Sequence, residues 1–161
     1  MPRPPKTRKV GFIPTATYFK PAGVPMSKLE EIQLGIDELE ALRLKDVLGM
    51  DQEECARQMD LTQSTFQRII TAARQKVASA IVEGKALRVE GGKYQFVLSW
   101  VCRSCGQTWE EAGPEKDRIT RCPSCKGVEV DNQRAHSKGP GPPPWAGAGR
   151  GRRRGIKEVE E

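Results

Sequence analysis

Acidic side chains are missing from two stretches of this 161-residue chain: residues 1 to 28, which carry six Lys and Arg, and the interval between Leu61 and Glu83. The formal net charge of +6 is therefore distributed in blocks. Residues 1–28, 29–60, 61–88, 89–133 and 134–161 carry +6, −7, +4, −1 and +4. Such blocks fit a basic surface turned to a polyanion and an acidic face turned away, although ordinary solvated faces produce blocks too. Long apolar runs are also missing. Nothing approaches the ~18 apolar residues of a membrane span, and the opening MPRPPKTRKV has no apolar h-region behind it, so the expectation is a cytoplasmic protein without membrane contact.

Histidine is nearly absent. The single His136 falls in a tail, and no Ser, Cys or carboxylate near it completes a catalytic arrangement. Neither a phosphate-binding loop nor a dinucleotide fingerprint occurs, because the glycines of 139–155 have no strand before them and no helix after them. The expectation is a protein that is not an enzyme. Apolar residues make up only 37% of the chain, below the ~45–50% of an ordinary globular protein, so part of it is expected to stay unfolded.

That part is 133–161, a Gly/Pro/Arg-rich segment with Trp145 as its only large apolar residue, unable to bury enough surface to offset chain entropy. Its arginines, Arg150 and Arg152 to Arg154, would add phosphate affinity or merely solubilise the chain. At the other end, Pro2, Pro4, Pro5, Pro14, Pro21 and Pro25 deny helix to residues 1–28, which read as a basic extended arm. The middle divides into a helical domain ending in a short hairpin, 29–96, and a four-cysteine segment, 97–132.

Three helix starts fall close together. Asp37 with Glu40, and Asp51 with Glu54, read as capping boxes. Thr62 opens a third helix, with Leu61 and Phe66 placed as a hydrophobic staple. In that helix Phe66, Ile69, Ile70, Ala73, Val77, Ala80 and Ile81 recur at three and four, and Gly84 supplies the stop. Beyond it, ALRVE and KYQFV flank Gly91-Gly92 and read as a hairpin over 86–98.

A capped helix from Asp51, a turn at Asp60-Leu61 and a longer helix from Thr62 have the spacing of a helix-turn-helix, whose second helix enters the DNA major groove. Asp60 sits where such turns often carry glycine, and Asp tolerates the left-handed conformation better than most residues. On the acid-free face, Gln63 and Gln67 can pair with adenine edges, and Arg68 or Arg74 can bond guanine or clamp phosphate. Thr62, Ser64 and Thr65 in the first turn can bind a phosphate oxygen, and Thr71 continues the stripe. A plain helical bundle with a solvated stripe is the rival reading. Cys55, beside Ala56 and Met59, reads as a core thiol.

These segments carry a resemblance. MPRPPKTRKVGFIP, TYFKPAGVPM, DELEALRLKD, QEECARQMDLTQSTFQRII and GKALRVEGG, in this order over residues 1–96, resemble a family of small uncharacterised prokaryotic proteins. The family is known as predicted DNA-binding proteins with a helix-turn-helix similar to region four of sigma factors. The resemblance implies a sigma-region-four-like fold and DNA binding, without a target.

Cys102-Arg103-Ser104-Cys105 and Cys122-Pro123-Ser124-Cys125 form two C-x2-C knuckles, the donor pattern of a tetrahedral metal site, and they resemble zinc ribbons. Zn2+ is the expected ion and iron the rival, since four thiolates suit both. Four protein ligands leave no open position, so the expected role is structural. Trp100, Val101, Trp109 and Ile119 would form a small core around it.

The chain is thus expected to be mainly α, with a helix-turn-helix domain, a small β zinc ribbon and a disordered tail. Its expected partner is double-stranded DNA, with a homodimer if the operator has two half-sites. The alternative is an adaptor contacting RNA polymerase through protein surfaces.

Overall fold

The computed structural model describes residues 6–113 and 121–132. The expected tail with its arginines, His136 and Ile119 all lie outside these residues. In chain order the elements are β1 (Arg8–Val10), β2 (Tyr18–Phe19), a 3-10 turn (Met26–Lys28), β3 (Glu31–Leu34), α1 (Ile36–Leu42), a π-helical turn (Arg43–Val47), α2 (Gln52–Gln58), α3 (Gln63–Glu83), β4 (Ala86–Val89), β5 (Tyr94–Cys102), β6 (Thr108–Ala112) and β7 (Val130–Asn132).

The fold is mixed, which corrects the expectation of a mainly α protein: among the described residues three α-helices stand beside two sheets. In one sheet β4 lies between β2, antiparallel, and β3, parallel. In the other β5 pairs in parallel with β1 and antiparallel with β6 and β7. The expected hairpin is also corrected. Gly91 and Gly92 do turn the chain, at φ of 71° and 99°, but β4 and β5 leave that turn for different sheets. Alternation marks a segment as strand without naming its partner, and here each of the two strands takes one partner, β2 or β1, from residues 8–19. Strands of two and three residues are too short to show a period, which is why β1 and β2 passed as an extended arm.

Two apolar clusters organise the structure. Ala41, Leu44, Cys55, Ala56, Met59, Phe66, Ile69 and Ile70 close the helical one. Val10, Leu34, Ile36, Ala73 and Val89 join the sheets to the middle of α3. Val10 is wholly buried, so β1 is part of the core. Ile81, counted on the apolar stripe of α3, is instead 76% exposed, because the last turn of α3 buries only Ala80 and leaves residues 81–84 exposed.

Local signals explain most helix ends. Thr62 caps α3, its hydroxyl accepting from the Thr65 N–H at 3.3 Å, and Gly84 ends it in the left-handed region. The start of α1 differs from the sequence reading. Gly35, not Asp37, is the cap; Glu38 accepts from the Gly35 N–H at 2.8 Å, and Gly91 O accepts from Ile36 N–H at 2.9 Å. Asp37 lies inside the helix because its buried carboxylate is bound by Arg8. Asp51 caps α2 by position only, with no side-chain bond.

Candidate nucleic-acid interface and metal centre

The turn between α2 and α3 is tightly specified. Met59 N–H bonds to Cys55 O at 3.1 Å, Asp60 N–H to Arg57 O at 3.1 Å and Leu61 N–H to Ala56 O at 2.8 Å, while Asp60 takes φ 57°. β1 buttresses this turn from outside, because Lys9 N–H donates to Met59 O at 3.0 Å and Lys6 pairs with Asp60 at 2.9 Å. Lys6 hydrogen bonding holds the Asp60 carboxyl below its usual range. Behind the turn Cys55 is fully buried, and burial pushes its thiol up, as befits a packing residue.

Along α3 the polar residues divide by what holds them. Gln63, Ser64, Gln67, Arg68, Thr71 and Arg74 are exposed, Thr62 is exposed at the cap, and Thr65 is half-buried. Thr62 and Thr65 share a hydroxyl contact of 2.8 Å, and Ser64 lies 3.2 Å from the Thr62 hydroxyl, so the first-turn hydroxyls are largely bonded to one another. Gln67 donates to the Thr71 hydroxyl at 3.2 Å, which aligns one side chain along the helix. Arg74 grips Asp46 through two bonds, at 3.1 and 2.6 Å, and that hydrogen bonding raises its pKa. A nucleic acid would have to displace Asp46 to engage it. Among the described residues Arg68 has no carboxylate partner, so it is the free cation of this face. Sequence reasoning passed over Lys93, which lines the same cleft beside α3 as Arg68. Its only sequence signal was its place directly after the glycine pair.

The two cysteine knuckles meet at the far end of β5. Cys102 ends that strand, and Gly106 N–H bonds back to Cys102 O at 2.9 Å; Lys126 N–H bonds to Cys122 O at 3.0 Å in the second knuckle. Gly106, at φ 73°, and Lys126, at φ 61°, complete the tight turns. All four Sγ atoms lie within 4.8 Å of one another, with Cys102 to Cys125 at 3.6 Å and Cys105 to Cys122 at 3.5 Å. A tetrahedron of zinc–sulfur bonds has sulfurs about 3.8 Å apart, so the four residues fit a metal ion. Their ionisation fits as well. The Cys105 N–H, followed by burial acting against it and the Ser104 N–H, leaves the Cys102 thiol at about 6. Burial raises Cys122, but the Cys125 and Ser124 N–H groups outweigh it and the net shift is downward. Cys105 goes the other way, to about 12: the Gln107 N–H lowers it, and the neighbouring sulfurs and burial overcome that. Without a cation the quartet thus keeps a proton among its sulfurs.

β6 and β7 flank this centre. Trp100 of β5 stands opposite Trp109 of β6 and Asn132 of β7, and Val101 opposite Thr108 and Asp131. Among the described residues no helix is long and apolar enough to cross a membrane.

Comparison with known proteins places the chain in a family. A family model described as "Protein of unknown function DUF134" matches residues 1–97. A UPF0251 protein of Desulforudis audaxviator is 51% identical over 131 residues, covering 81% of this chain and 85% of that protein. One from Moorella thermoacetica is 51% identical over 142 residues, covering 88% and 90%. One from Thermoanaerobacter pseudethanolicus is 61% identical over 95 residues, covering 59% and 80%. No solved structure matches.

Proposed function

The chain belongs to the DUF134 family, and on that premise we propose that it is a DNA-binding transcriptional regulator rather than an enzyme, reading duplex DNA in the cytoplasm through α3. The supporting observation is the exposed, acid-free face of α3 set against α2 across a turn with Asp60 in the left-handed region. That pairing suits a helix-turn-helix, in which the first helix braces on the backbone and the second enters the major groove. Gln63, Ser64, Gln67 and Thr71 would meet base edges, and Arg68 a guanine or a phosphate. Thr62, Thr65 and Arg74 would position the helix against phosphates once their present partners yield. A homodimer would match a two-half-site operator.

Cys102, Cys105, Cys122 and Cys125 would hold a structural Zn2+. The ion would supply a four-way cross-link between the two knuckles and neutralise part of the thiolate charge, while the chain's own part is to present four sulfurs on preset turns. Iron is the competing occupant, and elemental analysis together with the absorbance of a thiolate-iron centre separates the two.

Selection of bound fragments from a sheared genomic pool at about 150 mM salt tests the DNA reading, because that salt suppresses purely phosphate-driven binding. A shared motif is the expected result. Failure of folded, metal-loaded protein to recover any fragment would transfer the proposal to a second reading, an adaptor docking on RNA polymerase. That reading draws on Phe19, Ile81 and Val82, which stand 51%, 76% and 83% exposed.

A further inference from the structure

Beside α3 lies a cleft of about 630 Å³, of whose lining the major-groove reading uses only Arg68. Four cations line it: Arg8 from β1, Arg68 and Lys76 from α3, and Lys93 from the turn before β5. Three carboxylates line it as well, Asp37, Glu38 and Glu90. The pairing among them is uneven. Arg8 is bound to the buried Asp37, and Lys76 meets Glu38 at 2.7 Å, so two cations are already neutralised by two carboxylates. Among the described residues Arg68 and Lys93 have no carboxylate partner, which leaves two cations facing Glu90.

The wall that carries Lys93 is held firmly. Gly92 sits at φ 99° directly against α1, where a Cβ would come within 2.4 Å of Asp37 Oδ1, and Lys93 O accepts from Arg8 N–H at 3.1 Å. Arg68 is held by α3, whose neighbouring Ile69 is buried in the helical core. Two cations without a carboxylate partner therefore line one concavity from two separate elements. A multivalent anion in the cleft would meet both, and a guanidinium fork with an ammonium suits tetrahedral phosphate oxygens.

We propose that this cleft seats a phosphate group, bound by Arg68 and Lys93 above the Arg8–Asp37 pair. The phosphate has two sources of the same chemistry: the backbone of a duplex lying along α3, or a free phosphate compound acting as an effector. The second source requires no duplex binding, so the cleft can be judged even if the DNA reading fails.

The test titrates metal-loaded, full-length protein with inorganic pyrophosphate and, separately, with a short duplex carrying the selected motif or, lacking one, mixed sequence. Backbone amide shifts of Arg68, Gly92 and Lys93 report occupancy. Arg68→Gln, Lys93→Gln and the surface control Lys28→Gln are compared with the unsubstituted chain, each checked for an unchanged thermal transition. The expected result is saturable pyrophosphate binding with a dissociation constant of about 1 mM or tighter, weakened about ten-fold by Lys93→Gln and by Arg68→Gln but not by Lys28→Gln. Pyrophosphate that also displaces the duplex assigns the seat to backbone phosphate as well; pyrophosphate that binds without displacing it assigns the seat to a free compound. A duplex weakened by Lys93→Gln in the absence of pyrophosphate binding supports backbone phosphate alone. If pyrophosphate fails to saturate those amides and Lys93→Gln leaves duplex affinity unchanged, or the duplex does not bind at all, the proposal is overturned.

Discussion

Glu40 shows how much one residue can hold. Its side chain is 1% exposed and accepts from Arg43 Nε at 2.8 Å, Arg43 Nη2 at 2.9 Å and the Gly11 N–H at 3.0 Å, which ties α1 to the segment after β1. Arg43 also lies over the Phe12 ring, 5.7 Å from its centroid. Arg43→Ala would strand a buried carboxylate and is expected to cost about 3–5 kcal/mol in denaturant unfolding. Arg74→Ala, whose pair with Asp46 is 49% and 38% exposed, is expected to cost about 1 kcal/mol or less. Equal losses in the two variants would contradict this ranking. The cysteines give a pH signature. In metal-free, reduced protein, Cys102 sits at about 6 against an ordinary value near 9, so its stabilising contribution is complete above pH 9 and disappears as the pH falls through about 6. Cys105, raised to about 12, contributes below pH 9 and loses that contribution as the pH rises through about 12. Thermal unfolding of the chelated protein across this range is therefore expected to show greatest ribbon stability near pH 9.

At the scale of elements, α3 was the most legible part of the chain, since its apolar period, its Thr62 cap and its Gly84 stop all appear locally. The turn before it was legible for the same reason. Asp60 holds φ 57°, a conformation that disfavours β-branched side chains, so Asp60→Val is expected to lose about 1–2 kcal/mol and Asp60→Gly to lose none, both read by denaturant unfolding. On the exposed face, Gln67→Ala is expected to relax discrimination at one base position by about 1–3 kcal/mol while leaving the fold intact. Repeating the fragment selection with that variant checks it, and an unchanged motif would remove Gln67 from the reading set. Lys9 illustrates the limit of local reading. It belongs to the basic arm, whose charge fits a surface turned to a polyanion, but its side chain meets Glu110 of β6 and its N–H is spent on Met59 O. Charge order along a chain does not reveal which carboxylate the fold will bring alongside.

For the whole molecule, β5 is the continuous piece. It pairs with β1 at Tyr94 to Phe96, carries buried Val97 and Leu98, and ends at Cys102 in the metal centre. Removal of the metal by a chelator is expected to loosen the distal part, without abolishing its thermal transition, while sparing the helical cluster. Amide exchange should quicken at Val101, Cys102, Thr108 and Val130 and remain slow at Phe66, Ile69 and Ile70. Uniform loss of protection would mean that the ribbon and the helical core unfold as one unit.

The sequence by itself determined what depends on neighbours a few residues apart: the period and caps of α3, the left-handed turn at Asp60, and the two knuckles that present Cys102, Cys105, Cys122 and Cys125. Only the tertiary structure decided what depends on partners distant in the chain. It drew residues 8–10 and 18–19 into two sheets, sent β4 and β5 apart, engaged Arg74 with Asp46, and left Arg68 and Lys93 facing one cleft. The physical reason is that a helix closes its hydrogen bonds within itself, whereas a strand or an ion pair is completed by whatever the fold places beside it.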